Sequence, residues 1–332
     1  MECYHMSSNK KNTIIDLFAG AGGLTLGFTQ NNFEILDTVE FWQPAVDTYN
    51  HNFKKNITVK DITNLNVRQC LQDNYKSKTD LVIGGFPCQG FSMAGRRSKS
   101  DERNQLYKYT IDVIARLQPY GFVLENVKGI LSFREDDGIL VINKIKEMLN
   151  KLNYYTEFIL VDSSKFGVPQ KRERVIFIGC KDKQKVDEVI NKLRSFNAPI
   201  VTVKQAIGHL EEIKDENIIA NHIFSKHSED MKKRLSNLKE GQSLSKNFSD
   251  AFKRISYDKP SPTVKENHGG VHVHPVLPRV LTPRELANLQ SFPEDFIFLG
   301  TKSSVLKQIG NAVPVKLSFE IAKIVKEIFF NE

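Results

Sequence analysis

The 332-residue chain contains only four cysteines and a single tryptophan. Cys3, Cys70, Cys88 and Cys180 lie far apart, with no CxxC pair and no histidine at zinc-site spacing, which argues against a disulfide scaffold and a structural zinc. No run approaches the roughly 18 uninterrupted apolar residues of a membrane span. The opening MECYHMSSNKKNTIIDLF also lacks the regions of a secretory signal, and a cytoplasmic, nucleoid-associated protein is expected. Acidic residues are the minority, 39 against 47 Lys plus Arg, for a formal charge of +8. That balance favours an anionic partner such as nucleic acid, although excess lysine often only solvates a surface.

The first 180 residues alternate short apolar runs with helical patterns. Thr13–Phe18, Ile35–Val39, Ile57–Val59, Asp80–Ile83, Phe122–Leu124, Tyr155–Val161 and Arg174–Ile178 read as seven strands. Helical stretches between them predict an α/β fold with a doubly wound, mostly parallel seven-stranded sheet. The expected division is a catalytic and cofactor-binding domain over 1–180, a small basic domain over 181–275, and a segment, 276–332, that returns to the first. Thr282, Pro283 and Glu285 form a capping-box pattern, and Leu317, Ile321, Ile324, Val325 and Ile328 form an apolar stripe suited to docking on the first domain.

A GxGG turn at Gly20, Gly22 and Gly23 directly follows the first strand. By itself it fits a packed turn, a dinucleotide site or another adenosyl ligand. Glu40, after the second strand, can accept from ribose hydroxyls. Asp61 can accept from an adenine amino group or simply cap a turn, and Phe18 can face the adenine or fill the core. Cys88, in GGFPCQGFS just beyond a central strand, sits where open sheets bind ligands, which suits a nucleophile more than a packing residue.

With that cysteine in place, the chain resembles the DNA cytosine-5 methyltransferase family. The matching elements, in the family's order, are DLFAGAGGLTLGF at Asp16, GGFPCQGFS at Gly84, ENVKG at Glu125, QKRERVIFIG at Gln170, RVLTPRELANLQSFPEDF at Arg279 and QIGNAVPV at Gln308. The resemblance implies an S-adenosylmethionine-dependent enzyme acting on double-stranded DNA. It makes Cys88 the nucleophile, Glu125 the residue facing cytosine N3, and Arg172 and Arg174 the arginines near target base and backbone. Adenosyl-side contacts would come from Phe18, Ala19, Gly20, Gly22, Gly23, Leu24, Glu40, Phe41, Asp61, Ile62 and Pro87, with Asn311, Ala312 and Val313 completing the pocket. No metal is implied. The compact length resembles stand-alone bacterial modification enzymes, which implies a monomer and a companion restriction endonuclease.

These residue types suit the chemistry. Cytosine C5 is a poor nucleophile until a soft thiolate adds at C6 and interrupts the ring's conjugation. A carboxyl at N3 and an arginine at O2 then meet the developing charge. The target base must leave the duplex to be reached, and the loop Gly95–Lys108, with five basic and two acidic residues, suits closure over DNA. The basic middle segment, with eight Lys or Arg against four Asp or Glu between Lys226 and Arg254, is the expected target-recognition region. His268, His272 and His274 could bind a metal, but DNA contact or turn formation is the favoured reading. An RNA cytosine-5 methyltransferase, an NAD-dependent oxidoreductase and a non-enzymatic DNA-binding relative are the alternatives.

Overall fold

The computed structural model describes residues 11–87, 105–216, 218–245, 251–266 and 272–331. Cys3, Cys88, His268 and the part of the Gly95–Lys108 loop up to residue 104 lie outside the described residues.

Six strands form one sheet: β1 (Thr13–Leu17), β2 (Glu34–Val39), β3 (Leu81–Gly85), β4 (Gly121–Val127), β5 (Tyr155–Asp162) and β6 (Glu173–Cys180), in the order β2-β1-β3-β4-β6-β5. β1 runs parallel to β2 and β3, and β3 to β4, whereas β6 is antiparallel to both β4 and β5. The α/β, mostly parallel expectation stands, with one correction to the strand count. Ile57–Val59 is not a strand among the described residues. The Asn50 side chain takes both the N–H and the carbonyl of Ile57, so although Ile57 packs against the core the run has no ladder partner among the described residues, and Val59 is 44% exposed.

Alternation along the strands feeds both faces, as a sheet covered on both sides requires. Ile14, Leu81, Ile83, Val123, Ile176 and Ile178 enter one core, with Leu24 and Phe28 of α1 (Gly23–Gln30) and Tyr49 of α2 (Gln43–Phe53). Ile15, Leu17, Val82, Phe122, Leu124, Val175 and Phe177 enter the other, with α3 (Leu65–Tyr75), α4 (Leu106–Leu117) and α5 (Val141–Lys151). Val186, Val189, Ile190 and Leu193 of α6 (Lys183–Ser195) belong to the first core, so the packing of the sheet layer continues past residue 180.

Beyond α6 a third cluster gathers α7 (Val203–Ile207), Ile255, Val264, α9 (Pro283–Leu289) and Val305 and Ile309 of α10 (Lys302–Asn311), together with Ala21 of the glycine turn. The short α8 (Glu229–Ser236) contributes buried Leu235. The capping box is present, with Thr282 and Glu285 bonding reciprocally and Pro283 in the first turn. The final helix, α11 (Val315–Phe330), buries Leu317, Ile321, Ile324, Val325 and Ile328 and packs along α1 and α6. Among the described residues no helix is long and apolar enough to cross a membrane.

Candidate active site

The strand order reverses between β1 and β3, and open α/β sheets bind ligands beyond the carboxyl ends of their strands at such a point. Register places Leu17 beside Val39 and Gly84, and Gly85 beside Glu125, which gathers Phe18, Glu40, Gly85–Pro87 and Glu125 at one end of the sheet. Because β6 runs antiparallel, its beginning arrives at that same end, with Arg174 opposite Val127. Its reversed direction lets a sequence-distant arginine meet a carboxylate on β4.

On the glycine side, the chain leaves β1 through three positive-φ residues: Phe18 at 57°, Gly20 at 57° and Gly22 at 94°. A phenylalanine in the left-handed region is uncommon, and such strain concentrates where ligands bind. Among the described residues nothing lies within 4 Å of the position a Cβ would take on Gly20. A Cβ on Gly23 would fall 2.3 Å from the Val313 carbonyl oxygen and 3.4 Å from Ala312 Cβ. The segment Ala312–Val313 therefore presses on the first turn of α1, while Asn311 beside it is exposed.

Glu40 is 6% exposed, and its carboxylate accepts the backbone N–H of Gly20 at 2.8 Å, Phe41 at 3.0 Å and Trp42 at 2.8 Å. Burial raises its pKa, and those donors oppose the rise, helped by the charge of Lys307. A carboxylate offers about four acceptor positions, so a ligand hydroxyl can still be received. Phe41 is 65% exposed, an apolar face left open beside that carboxylate.

Asp61 is exposed and accepts the Thr63 N–H and hydroxyl, each at 2.8 Å. Ile62 is buried, and Arg68 holds the Ile62 and Thr63 carbonyls at 2.6 and 2.8 Å while pairing with Asp112 on α4. Ala19 is buried, and Leu24 packs into the core while its carbonyl accepts from Ser318.

On the β4 side, Arg174 Nε lies 2.7 Å from Glu125 Oε1, and both side chains are 12% exposed. Burial lowers the pKa of Arg174, while Glu125 supports its charged form. A Cβ on Gly85 would lie 3.2 Å from Glu125 Oε2, so glycine leaves that carboxylate its room. Pro87 follows Phe86, whose carbonyl accepts from the buried Asn126 side chain at 3.0 Å. Asn126 thereby fixes the exit of β3, one residue short of Pro87.

Arg172, expected near the target base and backbone, is enclosed by its own chain. It is 2% exposed, and its guanidinium donates to the carbonyls of Val264 and Gly310, both at 2.9 Å. Burial depresses its pKa, and the neighbouring Arg174 charge adds to that. Arg68, Asn126 and Gly85 were not singled out from the sequence, although the last two lie within quoted motifs. For Arg68 the only signal is a cation inside an otherwise amphipathic helix.

His272 and His274 are buried, and His274 Nδ1 accepts the N–H groups of Val276 at 3.3 Å and Leu277 at 3.1 Å. Burial pushes its pKa down to about 4. His274 thus organises a turn, in line with one of the two favoured readings. Among the described residues no group of three or more His, Cys, Asp or Glu is arranged to hold a metal ion.

The profile of the family described as C-5 cytosine-specific DNA methylase matches residues 12–327. The chain belongs to that family. It is accordingly a DNA cytosine-5 methyltransferase. The chain is similar to Type II methyltransferase M1.HphI of Haemophilus parahaemolyticus, 39% identical over 335 residues covering 96% of this chain and 88% of that protein. It is also 30% identical to the putative type II methyltransferase M.MJ0563P of Methanocaldococcus jannaschii, over 95% of this chain and 99% of the other.

Among solved structures, a putative DNA modification methyltransferase encoded within a prophage (E. coli) superposes with a TM-score of 0.80 at 29% identity, covering 97% of this chain and all of that one. The Entamoeba histolytica methyltransferase EhMeth shares the fold at a TM-score of 0.67 and 19% identity, covering 97% and 98% of the two chains.

Proposed function

We propose that this methyltransferase moves the methyl group of S-adenosylmethionine to C5 of an everted cytosine in a specific double-stranded DNA sequence, through a covalent bond between Cys88 and C6. The observation that carries the reading is the Glu125–Arg174 pair, held at the strand end shared by the glycine turn and the Gly85–Pro87 exit. The open space over Gly20, the backbone-anchored Glu40 and the exposed Phe41 fit an adenosine with its ribose diol. Glu40 would accept from the ribose, with Phe18, Phe41, Asp61, Ile62 and Pro87 around the adenine and Asn311–Val313 closing the other side. The bound cofactor supplies an electrophilic methyl on a sulfonium.

Cys88, as thiolate, adds to C6, and the displaced ring electrons move toward N3 and O2. Glu125 supplies a proton at N3 while Arg174 donates to O2, and their existing contact holds both oriented before any base enters. C5, now enamine-like, takes the methyl. Loss of the C5 proton to a base, return of the N3 proton to Glu125 and expulsion of the Cys88 sulfur then restore aromaticity. Water must be kept from the enamine for this to succeed. Arg172 enters this reading as a residue that positions its neighbours.

DNA binding falls to the segment after α6, starting near residue 196 and ending near 275, with exposed Lys233, Arg234 and Lys239 available to phosphates. The type II relatives support a role in restriction and modification; in that role the protein would act as a monomer beside a companion endonuclease cutting the same unmodified sequence.

Two measurements test the reading together. Base-resolution mapping of DNA from expressing cells should show 5-methylcytosine at one recurring sequence. DNA with 5-fluorocytosine at that position should leave a denaturation-resistant adduct with the wild-type protein and none with Cys88→Ala, because fluorine does not leave as a proton does. Methylation of ordinary DNA without an adduct on the fluorinated DNA would contradict the covalent route.

A further inference from the structure

Three polar side chains with almost no solvent contact link parts of the site that lie far apart in sequence. Gln170 and Gln290 are 0% exposed and Arg172 2%. Gln170 donates to Gln290 Oε1 at 2.8 Å and to the Leu289 carbonyl at 3.2 Å, and accepts the Val264 N–H at 2.8 Å. Gln290 passes the connection on, donating to the carbonyls of Ile309 at 2.7 Å and Ala312 at 3.3 Å. Its own carbonyl accepts the Val315 N–H at 3.1 Å. Arg172 bridges the Val264 and Gly310 carbonyls, each at 2.9 Å. A Cβ on Gly310 would lie 2.4 Å from the Glu266 backbone nitrogen, so the backbones of these two segments touch.

We propose that Gln170, Arg172 and Gln290 form a brace that holds the cofactor loop 310–313 in register with the Glu125–Arg174 pair. The proposal rests on the function assigned above and names positioning residues for it. Burying two amides and a guanidinium is costly unless their donors are used, and apolar side chains would fill the same space without that cost. Here the donors converge on backbone carbonyls of residues 309, 310 and 312, immediately around Asn311–Val313. Arg172 stands two residues before Arg174 on the same extended segment, and any shift of the loop is therefore felt at the arm that contacts the target base. The Arg172 Nε has no hydrogen-bond partner among the described residues, and it is burial at 2% exposure that keeps this guanidinium from a phosphate.

The brace and a direct DNA contact predict opposite results for Arg172→Met in the full-length protein. Under the brace, the dissociation constant for S-adenosylhomocysteine rises about tenfold, as loss of about one hydrogen bond's worth of loop positioning implies. The KM for S-adenosylmethionine rises by a larger factor than kcat falls. Cofactor-free DNA affinity and its dependence on salt stay as in the wild type. Arg172→Lys, whose ammonium can still reach one carbonyl, recovers part of the cofactor affinity.

Gln290→Met removes the bonds to the Ile309 and Ala312 carbonyls together with the one received from Gln170; it should show the same signature, and it serves where Arg172→Met does not fold. A salt slope reduced by about one, with cofactor affinity intact, would make Arg172 a phosphate contact and overturn the brace. A lower melting temperature with cofactor affinity and KM unchanged would overturn it as well. Failure of the wild-type protein to bind S-adenosylhomocysteine would instead strike the underlying function.

Discussion

Replacing Asp16 with Asn should remove a pH dependence of stability that the fold builds in beneath the glycine turn. Asp16 lies on β1 with 0% exposure. One carboxyl oxygen accepts from the Thr25 hydroxyl on α1, and Oδ1 has no hydrogen-bond partner among the described residues. Burial pushes its pKa up from 3.8 to about 8, against the Thr25 bond and with the help of the Glu40 charge. Between those values the folded protein carries a proton that the unfolded chain has released, so folding takes up a proton. Stability from this group is then lost as pH rises, by about a factor of ten in the folding equilibrium per pH unit.

From about pH 5.5 to about pH 7.5 the loss is about 3 kcal/mol. Asparagine keeps the shape and can accept from Thr25 but does not ionise. Urea denaturation of both proteins at the two pH values should show the stability difference moving by that amount in favour of Asp16→Asn as pH rises, with equal slopes against denaturant. A difference that stays constant within about 0.5 kcal/mol would refute a neutral Asp16, because about 0.5 kcal/mol is the extrapolation error expected of such curves.

Two further substitutions probe the packing that shapes the site. Gly23→Ala would drive a methyl to within 2.3 Å of the Val313 carbonyl oxygen, and overpacking of that kind costs about 1–3 kcal/mol. Lower melting temperature with weakened S-adenosylhomocysteine binding is expected, and an unchanged melt would deny the close approach. Arg254→Met strips donors from the buried carbonyls of Leu235, His274, Pro275 and Leu277. Destabilisation on the order of 2–5 kcal/mol with an unchanged salt slope for DNA binding is expected. A stable variant with a shallower slope would make Arg254 a DNA contact.

The sheet was legible because a strand buried on two faces must be apolar at nearly every position, and Ile14–Ile15, Val82–Ile83 and Phe122–Leu124 are. The capping box at Thr282 and the stripe on α11 were legible for the same reason: local chemistry and tertiary packing ask for the same residues. Ile57–Val59 carries three β-branched residues, but β propensity reflects a fit to a half-buried pleated surface, and among the described residues no neighbouring strand provides one there. The arginines were least legible. A count of charges treats Arg172, Arg254 and Arg284 like surface lysines, yet all three are buried, and Arg284 donates to the carbonyls of Ala220, Pro293 and Phe296. A guanidinium committed to backbone carbonyls releases no counterions from DNA. The electrostatic footprint on DNA therefore has to come from exposed cations such as Lys233, Arg234 and Lys239, and the net charge of the chain overstates it.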